Sequence, residues 1–443
     1  MKAYYQEHKA MYLTFIFLIL VGMYGGPLAY AVFPLAIVLM KQKEMYEELL
    51  IGFFLILILS DSLEPRLDFA KDIKTVYISL LVFFVLFDRK QFTPYNQFYK
   101  IFIPFFILSV VCIAFSETVG VAAQKTFSYF SMFLVIPCFL TKLYREQGTK
   151  ILRSVILFVT TILILDMVIA VLDHDAAYNV TFGRFKGVFG NPNGLGLFCF
   201  LAFTLFFTIN NIYTDLFSRQ EKILIYGLIA TSIILSGSRN SVISIVLLVL
   251  FTYFFKRSLV VGFILSTLFI FVSIALLDDI PYILMQLGLG SYFRLNSSDE
   301  LSGRSVAWQF AWTKIQENVF IGKGFGFDEY IMRKNSHMLG KLGHQGGVHS
   351  SFFSLWLNFG LVGLVVYFRC YFIIFIRAAK INKIAFPVMY AVLFSATFEG
   401  LFIGSLNPHM IILLLVVTIL LGLEPGYEAD PDTETQSIQL VAP

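Results

Sequence analysis

Lys222–Lys256 reads KILIYGLIATSIILSGSRNSVISIVLLVLFTYFFK. Two apolar runs, at about 222–237 and 240–255, flank one polar break, Ser236-Gly237-Ser238-Arg239-Asn240-Ser241. A backbone crossing lipid has no water to bond, so spanning segments default to helices. The stretch therefore predicts two membrane helices joined by a tight turn, with an arginine at the bilayer boundary.

The same pattern fills the chain. Fourteen apolar runs occur, at about residues 10–24, 26–40, 48–60, 73–88, 100–116, 121–141, 152–172, 194–213, 222–237, 240–255, 258–277, 350–368, 384–405 and 408–422. Several are shorter than the roughly 20 residues of a full span, so the expectation is roughly 12 to 14 spans. Residues 11–40 divide at Gly25-Gly26-Pro27. Of the 443 residues, 58% are apolar and 14% charged, against about 45–50% and about 25% for a soluble domain. The fold class is an all-α integral membrane protein with one large outer-face helical loop.

The net charge is only +4, and it sits in short connecting loops, which points to topology rather than nucleic acid. Lys41, Lys43, Arg89, Lys90, Lys142, Arg145, Arg219, Lys222, Lys256, Arg257 and the Arg377–Lys383 segment fall in alternate loops. Placing these in the cytoplasm puts both termini there. Loops 61–72, 173–193, 236–240, 278–349 and 406–408 then lie on the outer face. Cys112, Cys138, Cys199 and Cys370 all fall in apolar runs without CxxC spacing, so neither a disulfide framework nor a zinc site is indicated. The N-terminus has the outline of a signal peptide, with Lys2, Lys9 and Ala29-Tyr30-Ala31. Because the apolar run continues to Met40, it reads as a retained membrane segment.

The chain divides into N-terminal helices (1–182), a membrane region (183–423) holding the outer loop 278–349, and an acidic tail (424–443) expected to be disordered. In the outer loop seven Lys/Arg balance seven Asp/Glu, so it is no polybasic lipid patch. Ala307, Trp308, Ala311, Trp312, Ile315 and Val319 recur at helical spacing and predict a helix over 303–319. That helix is expected to lie on the membrane surface, aromatic face down.

Several residues are candidates for chemistry. Arg239 offers a bidentate fork for phosphate oxygens, and the small residues around it leave room for a ligand; the plain alternative is a snorkelling side chain. Arg304 stands at the predicted N-terminal turn of the loop helix, where it and the free amides would share an anion; the alternative is simple exposure. His349 opens a helix whose Ser350, Ser354 and Asn358 are spaced to face inward, a place suited to acid–base work. His337 and His344 fit polar surface positions. In Phe185–Gly194, Asn193 is expected to cap the next helix, and Arg184 adds outer-face charge. Substrate binding explains Asn191 and Asn193 as well as capping does. Glu399 is a carboxylate inside an apolar run, either functional or a partner for Arg239 or Arg304. Asp166 is a second such acid. Gly322, Gly324 and Gly326 read as helix-ending punctuation, not as a phosphate loop. There is no Walker motif or metal-ligand cluster.

His349-Ser350, nine residues, Gly360, two residues and Gly363 resemble the signature of the O-antigen ligase and O-antigen polymerase superfamily. Arg239 and Arg304 resemble the family's two essential arginines, and Gly187–Asn193 its entry to the mid-chain helix. The resemblance runs over about 183–405. It implies a metal- and cofactor-free glycosyltransferase of the membrane C type in the bacterial inner membrane. The implied donor is a glycan on undecaprenyl diphosphate. The acceptor is lipid A-core in a ligase and another carrier-linked glycan in a polymerase. Arg239 and Arg304 would stabilise the leaving diphosphate, His349 would take the acceptor proton, and the anomeric centre would invert. Arg184, Asn193, Ser350 and Glu399 would bind or orient. A lipid-linked sugar transporter is the reading from another class, but no internal repeat supports it.

Overall fold

A computed structural model describes residues 2–88, 92, 96–179, 183–275, 285–286, 299–344 and 346–423. The tail 424–443, residues 276–284 and 287–298 of the outer loop, and Arg89 and Lys90 lie outside the described residues. The protein is an all-α membrane protein. Among the described residues the only β pairing is an isolated bridge between Tyr178 and Phe185.

Each of the fourteen apolar runs forms one principal helix. These are α1 (Lys9–Tyr24), α2 (Ala29–Gln42), α3 (Tyr46–Asp61), α4 (Phe69–Phe87), α5 (Asn96–Ile113), α6 (Val119–Gln147), α7 (Lys150–Leu172), α8 (Pro192–Ile212), α9 (Arg219–Ser236), α10 (Arg239–Arg257) and α11 (Leu259–Ala275). The loop then gives α12 (Asp299–Glu317), α13 (Phe327–Lys334) and α14 (Ser336–Lys341), and the chain closes with α15 (Ser351–Ile381), α16 (Ala385–Phe398) and α17 (Pro408–Leu420). Among the described residues five helices, α6, α7, α8, α10 and α15, are long and apolar enough to cross a membrane on their own. The expected division at Gly25-Gly26-Pro27 is real: α1 ends at Tyr24, and Gly26, at φ 52°, starts a short 3-10 turn.

The helices end where the sequence gives them a reason to end. Ser218 and Glu221 form a reciprocal capping box at the start of α9, and Gly237 closes that helix in the left-handed conformation. Asn191, not Asn193, caps α8, accepting from the Gly194 amide at 2.8 Å. Every residue of α17 is buried; a helix apolar all round belongs inside a bundle.

The loops assigned by charge to one face do meet at one end of the bundle. There the Gly190 amide lies 3.4 Å from Asp61 Oδ2, the Phe185 amide donates to Leu235, and His409 Nε2 donates to the Gly194 carbonyl. At the other end Lys41 pairs with Asp88 and Arg153 with Glu221.

Segment 299–348 caps the first end. Its helix α12 starts at Asp299 rather than at 303. Ala307, Ala311 and Ile315 are buried against Val348, Leu357 and their neighbours, and Trp312 packs edge-on against Trp356. Part of the aromatic face therefore rests on protein, because α15 offers an apolar partner the sequence pattern does not reveal, while Trp312 stays 44% exposed. Lys125–Glu329, Lys323–Glu117 and Lys334–Glu117 ion pairs tie the cap to α6 and the turn before it.

The cap is seated by a break in α15. Gly360 has φ 70° and ψ −177°, so the helix is interrupted there. Four backbone groups lose their helical partners and find them in segment 319–324. Leu361 and Val362 amides donate to Val319 and Phe320 carbonyls at 2.8 and 3.3 Å, while Leu357 and Asn358 carbonyls accept from Lys323 and Gly324 at 3.3 and 2.8 Å. A Cβ on Gly360 would lie 2.2 Å from the Phe320 oxygen, and one on Gly322 2.2 Å from the Phe359 nitrogen. Gly322 is thus a close-approach residue rather than mere helix punctuation. We expect Gly360→Ala to cost at least about 1–3 kcal/mol from backbone strain alone. It should lower the thermal midpoint of the detergent-purified protein, whereas Gly340→Ala, whose Cβ meets nothing, should leave it unchanged.

Candidate functional site

The site forms where the cap helix, the mouth of α15 and the end of α16 converge. Arg304 lies beyond the first turn of α12, so it is too far from that helix's free amides to share an anion with them. Its Nη2 instead donates to Glu399 Oε1 at 3.1 Å, with 26% and 12% of the two side chains exposed. Four residues on, one helical turn along the same face, Trp308 Nε1 donates to the Val348 carbonyl at 3.0 Å. One face of α12 thus fastens both Glu399 and the residue preceding His349.

Glu399 does not lie within a helix. It ends α16 with extended backbone, and its carbonyl accepts from the Ser351 amide at 3.1 Å and the Ser351 hydroxyl at 2.7 Å. Ser351 Oγ in turn accepts from the Phe402 amide. The start of α15 is therefore locked to the end of α16. Ser350 is the extended N-cap of α15 and is buried, its carbonyl bonded to the Ser354 amide.

His349 has φ 51°, a left-handed conformation that few residues other than glycine adopt. Such positions persist only where the surroundings enforce them; here Trp308 holds the residue before, and buried Ser350 begins the helix after. The His349 imidazole is pushed down to about 4, first by burial, then by the Arg304 charge, then by His344. It is therefore neutral around pH 7 and has a lone pair available. His344, read from sequence as a surface residue, is buried. Its ring stands 5.9 Å from that of His349, edge to face. A carbonyl can only accept, so His344 Nε2 carries the proton it gives to Gly347 at 3.1 Å.

Arg239 begins α10, on the turn that follows α9. Its neighbour Asn240 donates through Nδ2 to the Ser395 carbonyl and hydroxyl at 3.3 Å. Ser395 lies one turn before Glu399, whose amide donates back to it at 3.1 Å. The Arg239 turn thus docks beside the end of α16 that carries the Arg304 partner.

Arg184 and Asn193 support that turn from behind. Arg184 is buried; its Nε donates to Ser236 O at 2.7 Å, and its Nη2 to Gly237 O at 3.1 Å and Asn193 Oδ1 at 2.7 Å. A cation on the last carbonyls of α9 is favourable, so both residues position Arg239's turn. Asp166, also buried, accepts from the Val188 amide at 2.8 Å and secures the same loop. His337 is exposed on α14.

Two residues of the cap escaped the sequence reading. Asp328 is buried and its amide donates to Asn358 Oδ1, while Asn358 Nδ2 donates to Asp328 Oδ1, both at 3.0 Å. Burial pushes the Asp328 carboxyl up. Asn358 faces inward as its spacing predicted, but its partner is the cap, thirty residues earlier in the chain. Trp308 was legible only as an apolar position, since nothing in its spacing marks a hydrogen bond.

Residues 224–368 match the family model described as O-antigen ligase. That span contains Arg239, Arg304 and His349, and leaves Arg184, Asn193 and Glu399 outside it. No curated protein matches the chain. The matched span covers the cationic turn, the cap helix and the histidine at the mouth of α15, and over that region the chain is similar to the O-antigen ligase family.

Proposed function

We propose that the protein transfers a glycan from undecaprenyl diphosphate to a hydroxyl of lipid A-core, without metal, on the outer face of the bacterial inner membrane. The observation that carries this reading is the neutral His349 imidazole beside the Arg304–Glu399 pair. A base and a cation at one helix mouth are what displacement of a diphosphate requires.

The step balances as follows. The acceptor O–H bond breaks and its proton goes to His349 as the oxygen attacks the anomeric carbon from the face opposite the diphosphate. The carbon–oxygen bond to the diphosphate breaks, and its electron pair leaves on the diphosphate oxygen. The products are glycosylated acceptor with inverted configuration, undecaprenyl diphosphate, and an imidazolium that loses its proton to solvent. Arg239 and Arg304 face the growing charge. Glu399 keeps the Arg304 guanidinium aimed while leaving other N–H groups to donate. The family match favours transfer over transport, and the same residues would serve a carrier-linked acceptor. In a strain lacking the gene, long glycan left on the carrier indicates ligation to lipid A-core, whereas single-repeat products indicate polymerisation.

Complementing that strain with His349→Ala should leave surface glycan reduced about 10²- to 10⁴-fold, the usual value of a general base; normal glycan at normal protein level would remove His349 from the chemistry. Arg239→Lys keeps the charge but loses the fork, and we expect a severe defect; full activity would support the snorkelling alternative.

The pH dependence has a definite sign. The protonated imidazole is inactive as a base, so transfer should stay level down to about pH 5 and fall as pH drops through about 4. Arg304→Gln removes a like charge from His349, so the fall in its residual rate should move to higher pH. A fall centred on the ordinary histidine value of 6.5 in the unsubstituted protein would contradict the assignment.

A further inference from the structure

The cap holds a cavity that the site described above leaves unused. Its volume is about 420 Å³, within the range of small-ligand sites. Glu329, Arg333, Ser336 and His344 line it together with Gly346 and Gly347. One wall is thus the loop that carries His349. A Cβ built on Gly346 would lie 3.0 Å from His349 Nε2. Gly346 thus both lines the cavity and lies against that nitrogen, and φ 117° there disfavours any other residue. The opposite rim faces the bundle, where Lys125 of α6 holds Glu329 at 2.5 Å.

The lining selects a chemical class. A carboxylate and the second imidazole nitrogen that accept, a guanidinium that donates, and a hydroxyl that does both suit a ring bearing many hydroxyls. Met332 and Leu339 add apolar patches for its C–H face. A prenyl chain would offer these polar groups no hydrogen-bond partner, and a dense polyanion would meet the Glu329 carboxylate. Arg304 approaches His349 from the helix that also holds Glu399, whereas the cavity approaches through Gly346. The leaving group and the incoming hydroxyl therefore have separate approaches to the same imidazole.

We infer that this cavity is the acceptor subsite, seating the sugar whose hydroxyl is presented to His349 Nε2. The inference rests on the proposed transfer reaction and adds to it where the acceptor sits.

The test uses the full chain in nanodiscs with two variants, Ser336→Trp, which fills the cavity, and Arg333→Gln, which removes its fork. The KM for acceptor is measured at saturating donor, and the KM for donor at saturating acceptor. Loss of hydrogen bonds to charged groups should raise the acceptor KM about ten- to hundredfold, with the donor KM changed by less than about twofold. An unchanged acceptor KM in both variants, or an equal rise in the donor KM, would overturn the inference. Binding of delipidated core oligosaccharide is measured in parallel without donor. Binding to the parent protein that weakens in both variants supports the cavity even if no transfer occurs, in which case only the transfer reading fails. Equal binding by parent and variants overturns the cavity. Should Ser336→Trp fail to fold, Arg333→Gln decides, since its side chain lies at the surface.

Discussion

The architecture depends on one constraint: a helix broken near lipid must have its freed backbone groups satisfied by protein. The break at Gly360 releases two amides and two carbonyls, and segment 319–324 takes all four. Trp356 adds an indole bond to the Val319 carbonyl at 2.9 Å. This backbone splice fixes the cap over the mouth of α15. The Asp328–Asn358 pair, the Trp308–Val348 bond and the Arg304–Glu399 pair extend the same seam toward His349. Glycines at 322 and 360 are needed because the two backbones approach closer than any Cβ allows.

The site then follows from what the splice holds in place. Glu399 has two tasks through two different groups. Its backbone carbonyl anchors Ser351 and so the start of α15, and its carboxylate receives Arg304. Removing one partner of a part-buried ion pair leaves the other uncompensated, so the pair couples cap position to site electrostatics. His349, at the mouth of α15, has a strained backbone and an unprotonated ring. Burial and a neighbouring guanidinium both disfavour the imidazolium, which leaves a ring nitrogen free to accept a proton.

Much of this was legible in the sequence, for a physical reason. Lipid forbids charge and unpaired backbone, so uncharged runs mark helices, and each of the fourteen runs formed one. The run at 350–368 stopped short because Arg369 and Arg377 ride on the exposed side of a helix that continues to Ile381. Arg239, Arg304 and His349 stood out because cations and a histidine at an apolar boundary need a reason to be there. Their partners did not stand out. Glu399 is 95 residues from Arg304 and Asp328 is 30 from Asn358, and no local spacing encodes such contacts. Asn191 and Asn193 are two residues apart, yet one caps a helix and the other holds Arg184, a division set by tertiary packing. His344 looked like a surface residue because its burial comes from the fold of its own loop.

The central claim is that Arg239, Arg304 and His349 form one metal-free site for direct displacement of a lipid diphosphate. The stereochemistry of a single transfer tests it most directly. Purified protein would be given one defined undecaprenyl-diphosphate glycan and lipid A-core in the presence of a chelator, and the new glycosidic linkage examined by NMR. The account predicts transfer with the anomeric configuration inverted relative to the donor. Retained configuration, or transfer that the chelator abolishes, would contradict it.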